Sequence, residues 1–135
     1  MFPHLERTRF GRLRLTEPRP GVLLVRASGY VGPRLLRRDV AVASRFARSR
    51  PAGWAYVVDT GGVRLANPLN VAVLRRVRSL DGLGAWLVIV RPRRLRPVVR
   101  LLGRLVGVDA VVADLDEALA RAGGGPGDVR LPRCG

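Results

Sequence analysis

The sequence predicts a single α/β domain with a largely parallel sheet, covering helices and an antiparallel hairpin at one edge. Three observations carry this reading. Apolar runs of strand length at 22–25, 55–58 and 85–90 are continuous rather than alternating, as in strands buried on both faces. Stretches of helical periodicity separate them. The length of 135 residues suits one core, and neither an internal repeat nor a second core is visible.

The elements follow in the order β-β-α-β-α-β-α-β-α. Residues 1–8 read as a loose N-terminal tail. Residues 11–15 alternate Arg12 and Arg14 with Leu13 and Leu15, the period of a half-exposed edge strand. Thr16, Glu17, Pro18, Arg19, Pro20 and Gly21 form a turn cluster before the second strand at 22–25. Gly29, Gly32 and Pro33 break that strand, and a helix follows to about Arg48 with Leu36, Val40, Ala43 and Phe46 on its inner face. A central strand then ends at Asp59, Thr60, Gly61 and Gly62. A second helix runs to Leu80, with Asn67 as N-cap and Pro68 at the first helical position. Arg91 and Pro92 close the strand at 85–90, and a third helix runs from about Arg94 to Leu105, where Pro97 is tolerable only in the first turn. A short strand at 110–113 and a last helix capped by Asp114 complete the domain, placed at 9–122. Residues 123–135 read as a flexible glycine-rich tail.

The formal net charge is +15, and all 25 basic residues are Arg, with no Lys. Such a balance favours acidic partners, nucleic acid or anionic lipid. An all-Arg usage also fits codon bias in a GC-rich bacterial genome, which writes ordinary solvated surface in the same residue. No apolar run approaches the ~20 residues of a membrane span, and the start shows no secretory signal pattern, so a cytoplasmic location is expected. The single cysteine, Cys134, excludes a disulfide framework.

Order and motifs together resemble the STAS domain, the fold of bacterial anti-sigma-factor antagonists, in a divergent SpoIIAA-like form. The family carries a segment like GVTFIDSSGLGVLL after its central strand, and residues 62–75 (GVRLANPLNVAVLR) align with it without a gap. Asn67 falls at the family's Asp, Pro68 at its first Ser, and Leu69 at the second, commonly phosphorylated, Ser. The segments 21–29, 87–92, 98–111 and 115–119 resemble the family's other strands and closing helix, so the likeness spans about residues 9–122. It implies a regulatory protein-interaction module whose partner is an anti-sigma factor, a kinase-like protein or a transporter subunit. It also implies a departure. Pro68 and Leu69 have no hydroxyl, so the phosphate that would place about two negative charges beside a partner cannot form there.

No catalytic constellation emerges. His4 is the only histidine, Gly82 and Gly84 lack a third glycine at dinucleotide spacing, and no Lys completes a phosphate loop. Asp59 reads as a turn-ordering residue rather than a general base. No enzyme activity, cofactor or metal is therefore expected. The recognition candidates are Asn67, Pro68, Leu69 and Asn70, with Arg91 and Arg93 on the same rim of a parallel sheet, the usual ligand edge of an open α/β fold. The alternative to a protein partner is an Arg-rich polyanion-binding module for nucleic acid or an anionic membrane surface, built on Arg75, Arg76, Arg78, Arg93, Arg96, Arg100 and Arg104. Trp54 and Trp86 lie in or beside apolar strands and read as core rather than base-stacking residues. A small apolar ligand between sheet and helices is a third reading.

Overall fold

The structure, a computed structural model, describes residues 4–7, 11–66 and 69–123. Its centre is a six-stranded sheet in which space order follows chain order: β1 (His4–Arg7), β2 (Gly11–Arg19), β3 (Val22–Val31), β4 (Trp54–Ala66), β5 (Leu83–Ile89) and β6 (Ala110–Val112). β1, β2 and β3 pair antiparallel, and β3 to β6 pair parallel. The mixed, mostly parallel sheet with an antiparallel edge is thus the expected fold class. One strand is added: part of the segment read as a loose tail forms β1, with Leu5 opposite Arg14.

The helices α1 (Pro33–Arg48), α2 (Asn70–Leu74) and α3 (Arg96–Val106) connect the parallel strands. Strands added in one direction by right-handed crossovers bring their helices to one face. On that face Leu35, Val42, Phe46, Val77 and Val106 pack over Leu13, Leu23, Val25, Trp54, Tyr56 and Trp86. The alternate residues Val22, Leu24, Ala55, Val57, Leu87, Ile89 and Val112 point the other way and are covered by α4 (Leu115–Gly123) through Leu115, Ala118 and Leu119. Continuous apolar runs therefore mark the strands with helices on both sides. Leu13 and Leu15 are buried while Arg12 and Arg14 are exposed, because α4 does not reach β2.

Several boundaries differ from the sequence reading. β2 runs on to Arg19 through the turn cluster, with a register shift after Thr16, and Glu17 accepts the Gly21 N–H at 3.0 Å and the Arg50 Nε–H at 2.7 Å to pin the hairpin. β3 continues to Val31, because Gly29 takes a left-handed φ of 74° that lets the strand bend without ending. β4 runs past Gly61 and Gly62 to Ala66, paired with β3. The second helix is shorter than its periodicity suggests. It begins at Asn70, ends at Leu74, and is followed by a single 3-10 turn, Val77–Ser79. Leu69, not Asn67, precedes its first residue, and three valines (Val71, Val73, Val77) lower its helix propensity.

The last two helices follow their sequence signals more closely. α3 starts with Pro97 in its first turn and stops at Gly107, φ 100°. The N–H of Glu117 donates to Asp114 Oδ1 at 2.8 Å, the expected cap of α4, and Glu117 Oε1 accepts the Ala113 N–H at 3.0 Å.

Candidate functional site

The C-terminal ends of the parallel strands form a rim, and the sheet forks there. β4 and β5 stay paired as far as Asp59 and Ile89, after which β4 continues beside β3 alone. Thr60 Oγ1 donates to the Ile89 carbonyl at 2.7 Å and ties the fork together. Asp59, with 11% of its side chain exposed, accepts the Gly61 N–H at 2.9 Å and two hydrogen bonds from Arg91, Nη1 at 2.6 Å and Nη2 at 3.0 Å. Burial alone would push the Asp59 carboxyl up. The bonds from Arg91 and the Gly61 amide, with the charge of Arg26, outweigh burial and hold it below the usual carboxylate range. The same pairing raises Arg91 further, so both partners remain charged. Arg96 then fastens the chain leaving β5, through Nε–H to the Val90 carbonyl at 2.8 Å and Nη2–H to that of Arg91 at 3.0 Å.

The expected recognition residues divide into two kinds. Leu69 is 69% exposed and Val71 37%, so an apolar knob stands at the start of α2. Arg93 is exposed in the 3-10 turn Arg93–Leu95 that precedes α3. Asn70, by contrast, is buried. Its Nδ2 donates to the Val31 carbonyl at 2.8 Å, and its Oδ1 has no hydrogen-bond partner among the described residues. It anchors the turn to the end of β3 and leaves Leu69 presented outward. Arg91 is half-exposed but engaged by Asp59. Asn67 and Pro68 lie outside the described residues.

Sequence reasoning treated Asp59 as a local turn residue, and the Gly61 contact agrees with that. The ion pair to Arg91 is long-range, and spacing carries no signal for it. A second polar feature lies in the core. Asp39 is buried on α1 and accepts the Tyr56 hydroxyl of β4. Asp39 sits three positions after Leu36 and four before Ala43, so its place within the apolar stripe of α1 was visible in the sequence. Burial, then the Asp39 charge, push the Tyr56 phenol well above its ordinary value. Tyr56 is walled by Trp54 and Trp86, at centroid distances of 6.4 and 6.1 Å. Neither indole is available to stack on a base, with 2% and 1% exposure. Among the described residues no group of three or more His, Cys, Asp or Glu side chains could hold a metal. No described helix is long and apolar enough to cross a membrane.

No protein-family model matches this sequence, and no curated protein sequence matches it significantly. The fold, however, recurs in solved structures. An anti-sigma factor antagonist from Mycobacterium paratuberculosis matches with a TM-score of 0.57 at 18% identity, covering 90% of this chain and 97% of that one. The antagonist SpoIIAA in its unphosphorylated form matches with a TM-score of 0.58 at 15% identity, covering 83% and 96%. The Bacillus cell fate determinant SpoIIAA in its phosphorylated form gives 0.52 at 14%, covering 81% and 97%. The chain thus has the fold of these anti-sigma factor antagonists, the STAS-like fold that its motifs resemble.

Proposed function

We propose that this chain is a non-enzymatic regulatory module that binds another protein through the rim around Leu69, without a phosphate switch at that turn. One observation carries the reading: Leu69, at the position where the STAS resemblance places the phosphorylated serine, is 69% exposed on a turn anchored by the buried Asn70. A large apolar side chain held outward suits a partner surface with an apolar pocket, and the exposed Arg93 and half-exposed Arg91 after β5 would suit an acidic stretch of the same partner. The structural likeness to anti-sigma factor antagonists supports a protein partner, of which an anti-sigma factor or a kinase-like protein is the kind we favour and a transporter subunit a further one. It also supports a regulatory rather than catalytic role.

The test is pairwise co-purification with anti-sigma factors and kinase-like proteins encoded in the same genome, followed by calorimetry with the intact chain and with Leu69→Asp. A negative charge at this position imitates a phosphate and desolvates poorly in an apolar pocket. Leu69→Asp is expected to abolish binding to the partner so found, whereas Leu69→Met retains it. Unchanged affinity of Leu69→Asp would remove this rim as the interface.

A further inference from the structure

Helix α3 rests on the domain along one narrow line and leaves most of its apolar surface outside. Gly103 and Val106 are buried, and Val99 packs against Val88, Val90 and Val111. Val98, Leu101, Leu102 and Leu105 fall at i, i+3, i+4 and i+7, the spacing of a stripe that ordinarily meets a core. They are 56, 62, 53 and 58% exposed, and Leu95 in the preceding turn is 44% exposed. Arg96, Arg100 and Arg104 recur every four residues as a separate row on the same helix. Arg100 and Arg104 also line an open cleft with Arg121 and the free edge of β6. Asp109, the acid in that cleft, is paired with Arg78 at 2.8 Å.

We propose that α3 is a membrane-surface element that lies in the plane of an anionic bilayer, with its Leu and Val stripe among the upper acyl chains and the exposed Arg100 and Arg104 on headgroup phosphates, Arg96 being held by the Val90 and Arg91 carbonyls. Composition and charge select this occupant. From Arg93 to Val106 the chain contains only Arg, Leu, Val, Pro and Gly. A protein groove needs varied hydrogen-bonding side chains at its rim to fix register and exclude other partners. A bilayer reads only apolar depth and positive charge, which is what this helix offers. Arg is suited to the boundary, because its apolar stem lies along the stripe while its head reaches phosphate. A second copy of the chain is disfavoured, because each copy carries a formal net charge of +15 and two such molecules repel. The 11-residue helix is too short to span, so the contact is peripheral. This proposal does not depend on the Leu69 rim.

Vesicle flotation with the intact chain tests it, using phosphatidylcholine vesicles and phosphatidylcholine mixed with phosphatidylglycerol. The protein is expected to float with the mixed vesicles and not with the zwitterionic ones. Leu101→Ser with Leu105→Ser changes exposed positions only, so far-ultraviolet circular dichroism should be unaltered while partitioning falls by more than about tenfold. Arg100→Gln with Arg104→Gln should lower partitioning by roughly thirtyfold, at about 1 kcal/mol per Arg, and flatten its salt dependence. No binding of the unaltered chain to the mixed vesicles at low salt would overturn the proposal. Undiminished binding of the serine variant would overturn it too, since contact would then rest on charge alone. A stripe-dependent dimer or complex with an acidic protein, without vesicle binding, would assign α3 to that occupant instead.

Discussion

Arg91 holds both carboxylate oxygens of Asp59, at 2.6 and 3.0 Å, across the point where β4 and β5 part. The pair joins β4 to the chain leaving β5 just where the two strands stop sharing ladder pairing, at Asp59 and Ile89, and so holds the fork closed at its base. A bidentate guanidinium–carboxylate contact is among the more directional polar interactions, and here one partner is largely shielded from water.

Asp59→Asn should therefore destabilise the fold by about 1–2 kcal/mol, measured by urea unfolding, since half-exposure of Arg91 screens part of the pair. The pH dependence has a fixed sign. The carboxyl titrates below its ordinary value in the folded state, so its stabilisation is fully present above that ordinary value. It is lost as the pH falls from there through the lowered value. Asp59→Asn should lack this acid-side component, so its stability and that of the unaltered chain converge at low pH.

Two glycines give a contrast that depends on what a methyl group would meet. A Cβ on Gly61 would lie 2.5 Å from Arg91 Nη1, the far end of a flexible side chain, whereas one on Gly84 would lie 2.7 Å from the Gly53 backbone. Gly61→Ala should displace the Arg91 guanidinium at a cost of about 1 kcal/mol, comparable to losing part of the ion pair. Gly84→Ala should force strands apart and cost about 3 kcal/mol or more. Thermal unfolding of both variants checks the order.

In the core, Tyr56→Phe removes the hydroxyl that donates to buried Asp39. The expected loss is about 1–3 kcal/mol, because a buried carboxylate then loses one of its donors. In the unaltered chain the phenol should resist ionisation on raising the pH and should deprotonate only as the domain unfolds, visible as a tyrosinate absorbance change that coincides with loss of circular dichroism.

Asn70→Ala should cost about 1–3 kcal/mol by leaving the Val31 carbonyl without its amide donor. Its second effect is local. With the tether gone, the segment around Leu69 should exchange amide hydrogens faster than in the unaltered chain, while the core strands β3, β4 and β5 keep their order of protection.

Much of the fold was legible because its physics is local or periodic. Val57 and Ile89 sit in continuous apolar runs, and both faces of their strands are covered. Asp114 and Gly107 end or begin helices by backbone rules that act over a few residues. The strand His4–Arg7 was not legible, since its pattern carries little apolar signal and its pairing with β2 is what orders it. The extension of β4 through Gly61 and Gly62 was hidden for a related reason: glycine reads as a turn, yet here it accompanies a bulged parallel pairing with β3. The site shows the same division. The exposed Leu69 followed from its place in the motif, whereas the inward turn of Asn70 toward Val31 and the grip of Arg91 on Asp59 are long-range contacts that spacing does not encode. The outward apolar stripe of α3 inverted the usual inference, because periodicity predicts a helix face but not which side of it is covered.

The most direct measurement is amide chemical-shift mapping of the intact chain as its protein partner is titrated in. A partner that docks on the rim should perturb Leu69, Asn70, Val71, Arg91 and Arg93 most strongly, with little change along β1 and β2. Perturbations confined to β1 and β2 or to the outer stripe of α3, with Leu69 and Arg93 unmoved at saturation, would contradict the assignment of this rim as the regulatory interface.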